Sequence, residues 1–305
     1  MNGIEGAYRG SVFTSCPCGA DLPCTLGVKN GYRVMSCTAC GMVYVNPQPS
    51  SHELSAFYAS DFWADFQKRI GQKSVEERAE DPREKKHFIR ALRWLLRHHP
   101  PSRGAKLLDL GCSHGMFCRL AADAGFDAAG MEMSEDTAAF ARTRMGIDVR
   151  VGPLNKQPFG RQTFSVVTMF DVLEHLANPH QEFDQIACLL PRDGTLYLAA
   201  PCRDTLEAKD VMKWSLNNPP EHLFLYAYRD VERLLRAHDF HVWAATGIYS
   251  PRMFILARHG VAPPTPFRPP PFWRWQLRET LRTVERSVRH RLRKRKTPSS
   301  RRAGD

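Results

Sequence analysis

The sequence lacks the segments that mark a membrane-spanning or secreted chain. No window of its 305 residues approaches the roughly 18 to 20 uninterrupted apolar residues that a spanning helix needs. Its first residues, MNGIEGAYRGSVF, do not show the charged-then-apolar order of a signal peptide. These two absences predict a cytoplasmic protein. Since that compartment is reducing, the nine cysteines are not expected to form a disulfide framework and are expected to bind metal, to be buried or to do redox chemistry.

Net charge is scarce outside the C-terminal part of the chain. The total is +11, yet residues 261–305 contain 13 Lys+Arg against 3 Asp+Glu, so residues 1–260 carry only about one net positive charge. A nearly neutral main region disfavours nucleic acid as a partner. The chain also lacks internal repeats, while its 43% hydrophobic content is enough to bury a core.

Composition divides the chain into four predicted regions. The first holds five of the nine cysteines, and the second has a helical stripe of Phe88, Leu92, Leu95 and Leu96 that stops at His99. In the third, strand-like and helix-like segments alternate, and the fourth is a proline-rich linker followed by a basic tail. The boundaries of the four regions are 1–50, 51–104, 105–260 and 261–305.

The alternating region predicts an α/β fold with a seven-stranded, mostly parallel sheet. The last two strand-like segments are separated by only a few residues, which is too short for a helical crossover, so they are expected to pair antiparallel. The seven predicted strands are KLLDLG, DAAGMEM, DVRVG, FSVVTMF, GTLYLAAP, HVWAATG and MFILARH.

A glycine-containing turn follows the first predicted strand of this sheet. Gly111 and Gly115 allow a sharp turn into a helix and a close approach of a ligand to the backbone. Asp109 precedes the turn, and Glu132 ends the next strand about twenty residues later, where a carboxylate can accept hydrogen bonds from a ribose. The motif predicts a nucleotide-type ligand. It does not fit the dinucleotide fingerprint, which needs glycine where Ser113 and Met116 stand.

This spacing resembles the cofactor motif of class I, Rossmann-like S-adenosylmethionine-dependent methyltransferases. The resemblance extends over residues 105–260 through FSVVTMFDVLEHLANP, which is similar to the family's fourth-strand block, and EHLFLYAYRDVERLLRAHDF, which is similar to a later block. It implies that S-adenosylmethionine lies against the glycine turn, with the acid before it beside the methionine part and the acid of the second strand on the ribose. The residues implied to bind the cofactor are Asp109, Gly111, Gly115, Glu132 and Met133, with Leu154 and Phe170 flanking the adenine or, as apolar residues, belonging to the core.

Three positions depart from the family pattern. Ser113, Asp193 and Asp239 stand where glycine is usual in these methyltransferases. Of the three, Ser113 is expected to place a side chain near the cofactor.

Catalytic candidates follow the fourth strand of the predicted sheet and the segment before the last predicted helix. Methyl transfer needs an aligned nucleophile and, for a hydroxyl acceptor, removal of a proton. His175 is the first candidate for a general base because an imidazole can titrate near neutral pH, and His222 is the second. The Leu-Glu-His block around His175 can equally be architectural.

Two short cysteine pairs in the first region predict a zinc ribbon. Cys16 and Cys18 form C-P-C-G, and Cys37 and Cys40 form C-T-A-C-G, so four thiolates can surround one Zn²⁺. The C-x-C pair is one residue shorter than usual, and Cys24 could replace one of its members. CTACGMVYVNPQPS resembles a string found in methyltransferases that carry such a ribbon and act on sugars or lipids of bacterial surface polymers. We expect a structural ribbon that helps to shape the acceptor site.

The basic tail has an amphipathic pattern. Apolar residues recur every three to four positions from Leu277 to Leu292 with arginines between them, which predicts a helix able to lie on an anionic membrane, to dock on the core or to bind nucleic acid. Together these features predict an O-methyltransferase for a small-molecule or glycan acceptor. A quinone or other small-metabolite methyltransferase and a non-catalytic zinc-ribbon scaffold are the alternatives.

Overall fold

A seven-stranded sheet is the largest element of the computed structural model. Its strands follow the order β10-β11-β8-β7-β4-β5-β6, and β11 runs antiparallel to both of its neighbours while the other neighbouring pairs are parallel. This is the predicted topology, and all seven strands form at the predicted segments. The strand bounds are β4 Lys106–Leu110, β5 Asp127–Glu132, β6 Asp148–Val151, β7 Val166–Phe170, β8 Thr195–Pro201, β10 Phe240–Thr246 and β11 Arg252–His259.

The structure describes most of the chain. The described residues are 16, 18–20, 23–50, 53, 54, 57, 71, 73–156, 159–205 and 207–275, and they fall into one unit that ends at Phe267 and another that begins at Arg268. In the second unit, residues 272–275 are helical, and Phe272 stacks on Trp275. The predicted amphipathic helix from Leu277 to Leu292 lies outside the described residues.

Helices cover both faces of the central sheet, because strands such as β7 and β8 are mostly apolar and are buried along nearly their whole length, which requires cover on each side. No helix among the described residues is long and apolar enough to cross a bilayer. The helices are α1 Val75–Glu80, α2 Pro82–His98, α3 Met116–Asp123, α4 Glu135–Phe140, α5 Pro179–Leu189 and α6 Tyr228–Ala237, with short turns at Ala141–Met145, Leu154–Lys156, Leu173–His175 and Glu207–Lys209.

Helix α2 shows how local sequence sets these elements. Asp81 caps its first turn by accepting a hydrogen bond from the Arg83 N–H, and Pro82 occupies the first helical position, where no N–H is needed. The helix ends at His98, in agreement with the predicted stop at His99. Leu92 and Leu95 of the predicted stripe are buried against the sheet, and Phe88 and Leu96 pack at the edge of the same cluster.

A second, four-stranded antiparallel sheet contains the N-terminal cysteine region. Its order is β1 Pro23–Lys29, β2 Tyr32–Cys37, β3 Val43–Val45 and β9 Phe224–Leu225. Strand β9 comes from the segment between β8 and α6, and it pairs with β3 through Tyr44 opposite Phe224 and Val43 opposite Leu225. The N-terminal residues Met35 and Tyr44 therefore share one hydrophobic core with Phe224 and Tyr226.

Candidate active site

A cavity of about 1420 Å³ opens at the carboxyl ends of β4, β5 and β7. This is the edge where open α/β sheets bind ligands. Single small-molecule pockets are usually about 300 to 1,000 Å³, so the cavity has room for two ligands side by side. The glycine turn and Glu132 line one part of it, and Glu174, His175 and His222 line another.

The glycine turn between β4 and α3 has the backbone geometry that the sequence predicts. Gly111 has φ +68° and Gly115 has φ +78°, both in the left-handed region that favours glycine. A Cβ on Gly111 would lie 2.5 Å from Cγ2 of Val172, so no side chain fits there. Gly111 lines the cavity, whereas Gly115 caps α3 and faces Ala141, outside the cavity lining.

Asp109 lies buried at the base of this turn and also lines the cavity. Its Oδ1 accepts a hydrogen bond of 2.6 Å from the Thr168 hydroxyl, and the Cys118 thiol lies 3.8 Å from its Oδ2. Burial raises the pKa of the carboxyl group from 3.8 to about 7, even though both hydrogen bonds favour the charged form. A cationic ligand in the cavity would favour the ionised form of Asp109.

Glu132 sits at the end of β5, across from the glycine turn. Its carboxylate accepts three backbone hydrogen bonds, from the N–H groups of Ser113 at 3.0 Å, Met133 at 2.7 Å and Ser134 at 3.1 Å. Burial raises its pKa, while these three N–H groups act in the opposite direction. The bonds fix the carboxylate at the cavity wall, and carboxylate oxygens with spare lone pairs can accept further hydrogen bonds from a diol.

The remaining predicted cofactor residues separate into two groups. Met133 and Phe170 line the cavity, and Phe170 packs edge-on against Phe117 with ring centroids 4.6 Å apart. Leu154 is buried in the main core and is not part of the lining, although its neighbours Pro153 and Asn155 are. The loop after β6 therefore does form part of the cavity wall, but the apolar side chain of Leu154 packs into the core.

The three departures from the family's glycines share one conformation. Ser113 has φ +49°, Asp193 has φ +69° and Asp239 has φ +57°. Glycine adopts this left-handed conformation at no steric cost, and aspartate tolerates it better than most residues do. The geometry therefore explains why the family pattern has glycine at all three positions.

A polar cluster occupies the cavity wall beyond β7. Asp171, with φ +53°, pairs with Arg252 at 2.6 Å between Oδ2 and Nη2. Glu174 is buried, and the Nε2 atoms of His175 and His222 lie 3.9 Å and 4.0 Å from its Oε1. The structure thus brings together both predicted histidines, which come from segments almost fifty residues apart in the sequence.

The two histidines are held by backbone carbonyl groups. His175 donates from Nδ1 to the Glu221 carbonyl at 2.6 Å, and His222 donates from Nδ1 to the Leu216 carbonyl. Burial, reinforced by the neighbouring His222, lowers the pKa of His175 to about 3. The lowered pKa makes His175 a weaker base than a free imidazole, and its role as a general base stays a prediction.

Four cysteines meet at the start of the N-terminal sheet. The sulfur atoms of Cys16 and Cys40 lie 3.6 Å apart, those of Cys18 and Cys37 lie 3.7 Å apart, and all four are within 4.8 Å of one another. The sulfur of Cys40 accepts from the Met42 N–H at 3.4 Å. Cys24 is exposed on β1 with its thiol against the Thr25 carbonyl, outside this cluster.

Part of the cavity wall comes from residues that the sequence did not assign to the site. They lie on α1, α2 and β11, and they are Arg78, Glu84, His87, Phe88 and Arg252. The capping box of Ser74 and Glu77 and the Asp81-Pro82 step mark two consecutive helix starts, a signal in the sequence that α1 and α2 are separate helices. The Nε2 atom of buried His114, which has no hydrogen-bond partner within the described part of the chain, lies 3.8 Å from Oε1 of Glu84.

The fold is that of the class I S-adenosylmethionine-dependent methyltransferases, and the cavity lies where these enzymes bind the cofactor. The model of the methyltransferase domain family matches residues 75–245, more than half of the chain. The chain therefore belongs to the methyltransferase domain family.

Curated relatives of this chain include ubiquinone biosynthesis O-methyltransferases. The enzyme of Sinorhizobium medicae is 26% identical over 163 residues, which are 49% of this chain and 65% of the relative. The enzyme of Caulobacter vibrioides is 32% identical over 119 residues, which are 37% of this chain and 47% of the relative. The match thus spans less than two thirds of the relatives it aligns with.

Solved structures share the fold. Magnesium protoporphyrin IX methyltransferase of Synechocystis PCC 6803, solved with bound SAH, superposes with a TM-score of 0.50 at 18% identity over 68% of this chain and 97% of that chain. A chain of the complex between the Haloferax volcanii Trm112 methyltransferase activator and a putative methyltransferase gives 0.50 at 17% identity over 66% and 96%. At these identities the likeness concerns the fold alone.

Proposed function

We propose that the protein transfers the methyl group of S-adenosylmethionine to a hydroxyl oxygen of a small metabolite. The observation that carries the proposal is the single cavity that joins the glycine turn and Glu132 to the polar cluster of Glu174, His175 and His222. A cofactor held at the glycine turn and Glu132 would direct its methyl group toward an acceptor at the polar cluster. The curated relatives are O-methyltransferases of a quinone pathway, which favours an oxygen acceptor.

The residues at the turn fit S-adenosylmethionine. Gly111 has no side chain, and a Cβ would not fit at its position in the cavity wall, so a ligand can approach the backbone closely. Glu132 offers a fixed carboxylate to a ribose. Asp109 offers a negative charge that a cationic ligand would stabilise. When bound, the cofactor supplies a methyl group whose carbon–sulfur bond breaks with its electron pair on sulfur, as the acceptor oxygen bonds the carbon and the hydroxyl proton is lost to water.

The side chains that line the cavity favour one class of acceptor. We infer that a small phenol or reduced quinone is accepted, because the cavity lining combines apolar side chains such as Leu176 and Leu216, suited to a ring, with polar groups such as Asn218, suited to a hydroxyl. The glycan acceptor suggested by the ribbon resemblance has no support among the curated relatives. We therefore place the quinone or small-metabolite acceptor first.

We further propose that the four clustered cysteines bind one structural Zn²⁺. Sulfur atoms about 3.8 Å apart result from a tetrahedron with Zn–S bonds of about 2.3 Å. The distances of 3.6 and 3.7 Å within the cluster fit this value. The ion would fix β2 and β3. Since β3 pairs with β9, which begins two residues after His222, the ribbon would help to shape the acceptor side of the cavity.

Calorimetric titration with S-adenosylmethionine tests the proposed function. We expect micromolar binding to the native protein and about tenfold or weaker binding to Glu132→Gln, since charged hydrogen bonds to a diol contribute about 1.5 kcal/mol or more. Glu135→Gln is the matched control, because Glu135 is an exposed acid of α4 paired with Arg142. No detectable binding to the native protein would favour the scaffold alternative.

Activity is then measured with a labelled methyl group and a panel of acceptors. Catechols and reduced quinones are expected to accept label, whereas simple hexoses are not. Preferential labelling of sugars would contradict the small-metabolite acceptor and support the glycan acceptor.

A further inference from the structure

Three ligand-type side chains converge at the acceptor side of the cavity. One carboxylate oxygen of Glu174 and one ring nitrogen each of His175 and His222 lie within 4.8 Å of one another. The two imidazole Nε2 atoms approach the same oxygen, Oε1, at 3.9 Å and 4.0 Å. Two imidazoles and one carboxylate form a donor set that binds first-row divalent cations in many proteins.

The histidines already have the outer contacts of metal ligands. Each donates its Nδ1–H to a main-chain carbonyl, His175 to Glu221 and His222 to Leu216. A histidine that binds metal through one nitrogen almost always donates the other N–H in this way, which fixes both the tautomer and the ring orientation. With the Nδ1 proton donated in this way, Nε2 is the nitrogen of each ring left to bind a metal, and it lies about 4 Å from Oε1 of Glu174.

Glu174 provides the second, independent observation. Its side chain is only 1% exposed, and neither carboxylate oxygen has a hydrogen-bond partner among the described residues. A buried acid without hydrogen bonds is costly, and buried charges in proteins are normally paired or bound to metal. The two neighbouring imidazoles do not satisfy it at about 4 Å. A cation between the three groups would.

We propose that Glu174, His175 and His222 bind a divalent cation, of the Mn²⁺, Fe²⁺, Co²⁺ or Zn²⁺ class, that faces the acceptor side of the cavity. Donor bonds of about 2.0 to 2.2 Å place neighbouring donors about 3.0 to 3.6 Å apart. The contacts of 3.9 and 4.0 Å between Glu174 and the two histidines would therefore shorten by about 1 Å or less. Three protein ligands leave positions open for other oxygens, as in catalytic rather than structural sites.

The open coordination positions of the cation indicate which substrates the site would take, and this step rests on the proposed O-methylation. An acceptor with two neighbouring oxygens, such as a catechol, could occupy two positions at once. The cation would fix the hydroxyl oxygen in the cavity and lower the pKa of the hydroxyl group, so that its proton leaves to water without a protein base. His175 and His222 then act as ligands, the alternative to the general-base roles predicted for them.

Manganese binding to the full chain tests the site without any acceptor or turnover. Protein carrying zinc in the cysteine cluster is titrated with Mn²⁺, and free Mn²⁺ is followed by electron paramagnetic resonance. We expect one Mn²⁺ per chain in the native protein and a loss of about 100-fold or more in affinity for Glu174→Gln and for His222→Gln. Mn²⁺ prefers oxygen and nitrogen donors, so the cysteine cluster does not compete.

The matched control is His241→Gln. His241 is a half-buried histidine whose Nε2 lies 3.1 Å from a carboxylate oxygen of Asp239, on β10 and outside the cavity lining. Its replacement should leave Mn²⁺ binding unchanged. Calorimetry with S-adenosylmethionine reports folding of each variant, and native-like binding by Glu174→Gln makes its loss of Mn²⁺ specific. Should Glu174→Gln fail to fold, the spectrum of the native protein with Co²⁺ decides, because a site without thiolates shows no sulfur-to-cobalt charge-transfer band.

Absence of stoichiometric Mn²⁺ and Co²⁺ binding to the native protein, or equal binding by Glu174→Gln and His222→Gln, would overturn the inference. The result is separable from the proposed function. Mn²⁺ binding without S-adenosylmethionine binding would keep the metal site and remove the methyltransferase activity, and the reverse pattern would keep the activity and remove the site.

Discussion

Two clusters of side chains that could bind a metal ion lie among the described residues, and they differ in donor type and in access. The N-terminal cluster has four sulfurs at tetrahedral distances, with Cys16 and Cys37 buried in the hydrophobic core. The cluster at Glu174 has one oxygen and two nitrogens, farther apart, on the wall of the cavity. A closed set of soft donors suits an ion that holds a fold together, whereas an incomplete set of mixed donors beside a cavity suits an ion that binds a substrate.

The two clusters are also connected through the backbone. The Val45 N–H of β3 donates to the Leu223 carbonyl at 2.9 Å, and the Leu223 N–H donates to the Glu174 carbonyl at 2.8 Å. Strand β3 follows Cys40 by three residues, and Leu223 follows His222 directly. The N-terminal sheet therefore holds the segment that supplies one histidine and contacts the loop that supplies the glutamate.

The largest effect is expected from Cys37→Ser. The variant should lose its zinc and most of its thermal stability, because metal binding in small zinc domains contributes on the order of 10 kcal/mol to folding. Cys37 is fully buried in the core that Tyr44 and Phe224 share, so the damage should extend to the methyltransferase domain. Zinc content by elemental analysis and the unfolding temperature measure both parts.

Cys24→Ser is the control for this variant, since Cys24 is exposed and outside the cluster. It should keep one zinc per chain and the native unfolding temperature. Loss of zinc from Cys24→Ser, or full zinc retention by Cys37→Ser, would show that the ligand set is wrong.

Chelation should separate the two clusters in one sample. Brief exposure to a carboxylate chelator is expected to remove a cation from the open site and lower methyl transfer by about 100-fold, while the zinc in the closed cysteine cluster stays bound. Added Mn²⁺ should restore the activity. Transfer that continues at the native rate after the open-site metal has been removed would mean that the cation has no part in the reaction.

A smaller effect concerns the cofactor side of the cavity, where Asp109 has a pKa of about 7. Because ionised Asp109 favours a cationic ligand, affinity for S-adenosylmethionine should fall about tenfold between pH 8 and pH 6. Asp109→Asn should bind weakly at both values, and calorimetry at the two pH values measures the difference. A native affinity independent of pH in this range would contradict the role of Asp109.

The stability of the folded protein should decrease as the pH rises, whereas the affinity for S-adenosylmethionine should increase. The folded pKa of Asp109 is raised above its ordinary value of 3.8, so its contribution to stability is greatest below pH 3.8 and is lost as the pH rises to about 7. Asp109→Asn removes this loss. Denaturant unfolding of the variant should therefore change less between pH 5 and pH 7 than unfolding of the native protein.

Much of the fold could be predicted from the sequence, because it depends on local patterns. Apolar runs such as Val166–Phe170 and the proline after Asp81 specify strands and helix starts without knowledge of the neighbours. The pairing of β9 with β3 could not be predicted, since two-residue strands have no period of their own. The inward packing of Leu154 and the low pKa of His175 also depend on burial, which only the assembled core determines.

The smallest expected effect comes from Ser113→Gly. Ser113 has φ +49° at the cavity wall, and relief of this left-handed conformation should stabilise the protein by less than about 1 kcal/mol, because glycine also gains freedom in the unfolded chain. Removing the side chain from the wall should in addition strengthen S-adenosylmethionine binding severalfold. Thermal unfolding and calorimetry measure the two effects.

Gln162→Gly is the matched control for this last change. Gln162 has φ +52° and is exposed outside the cavity lining, so the same substitution should give a similar gain in stability without any gain in affinity. Equal affinities of Ser113→Gly and the native protein would show that the hydroxymethyl group does not touch the cofactor. The family's glycine at this position would then serve the backbone conformation alone.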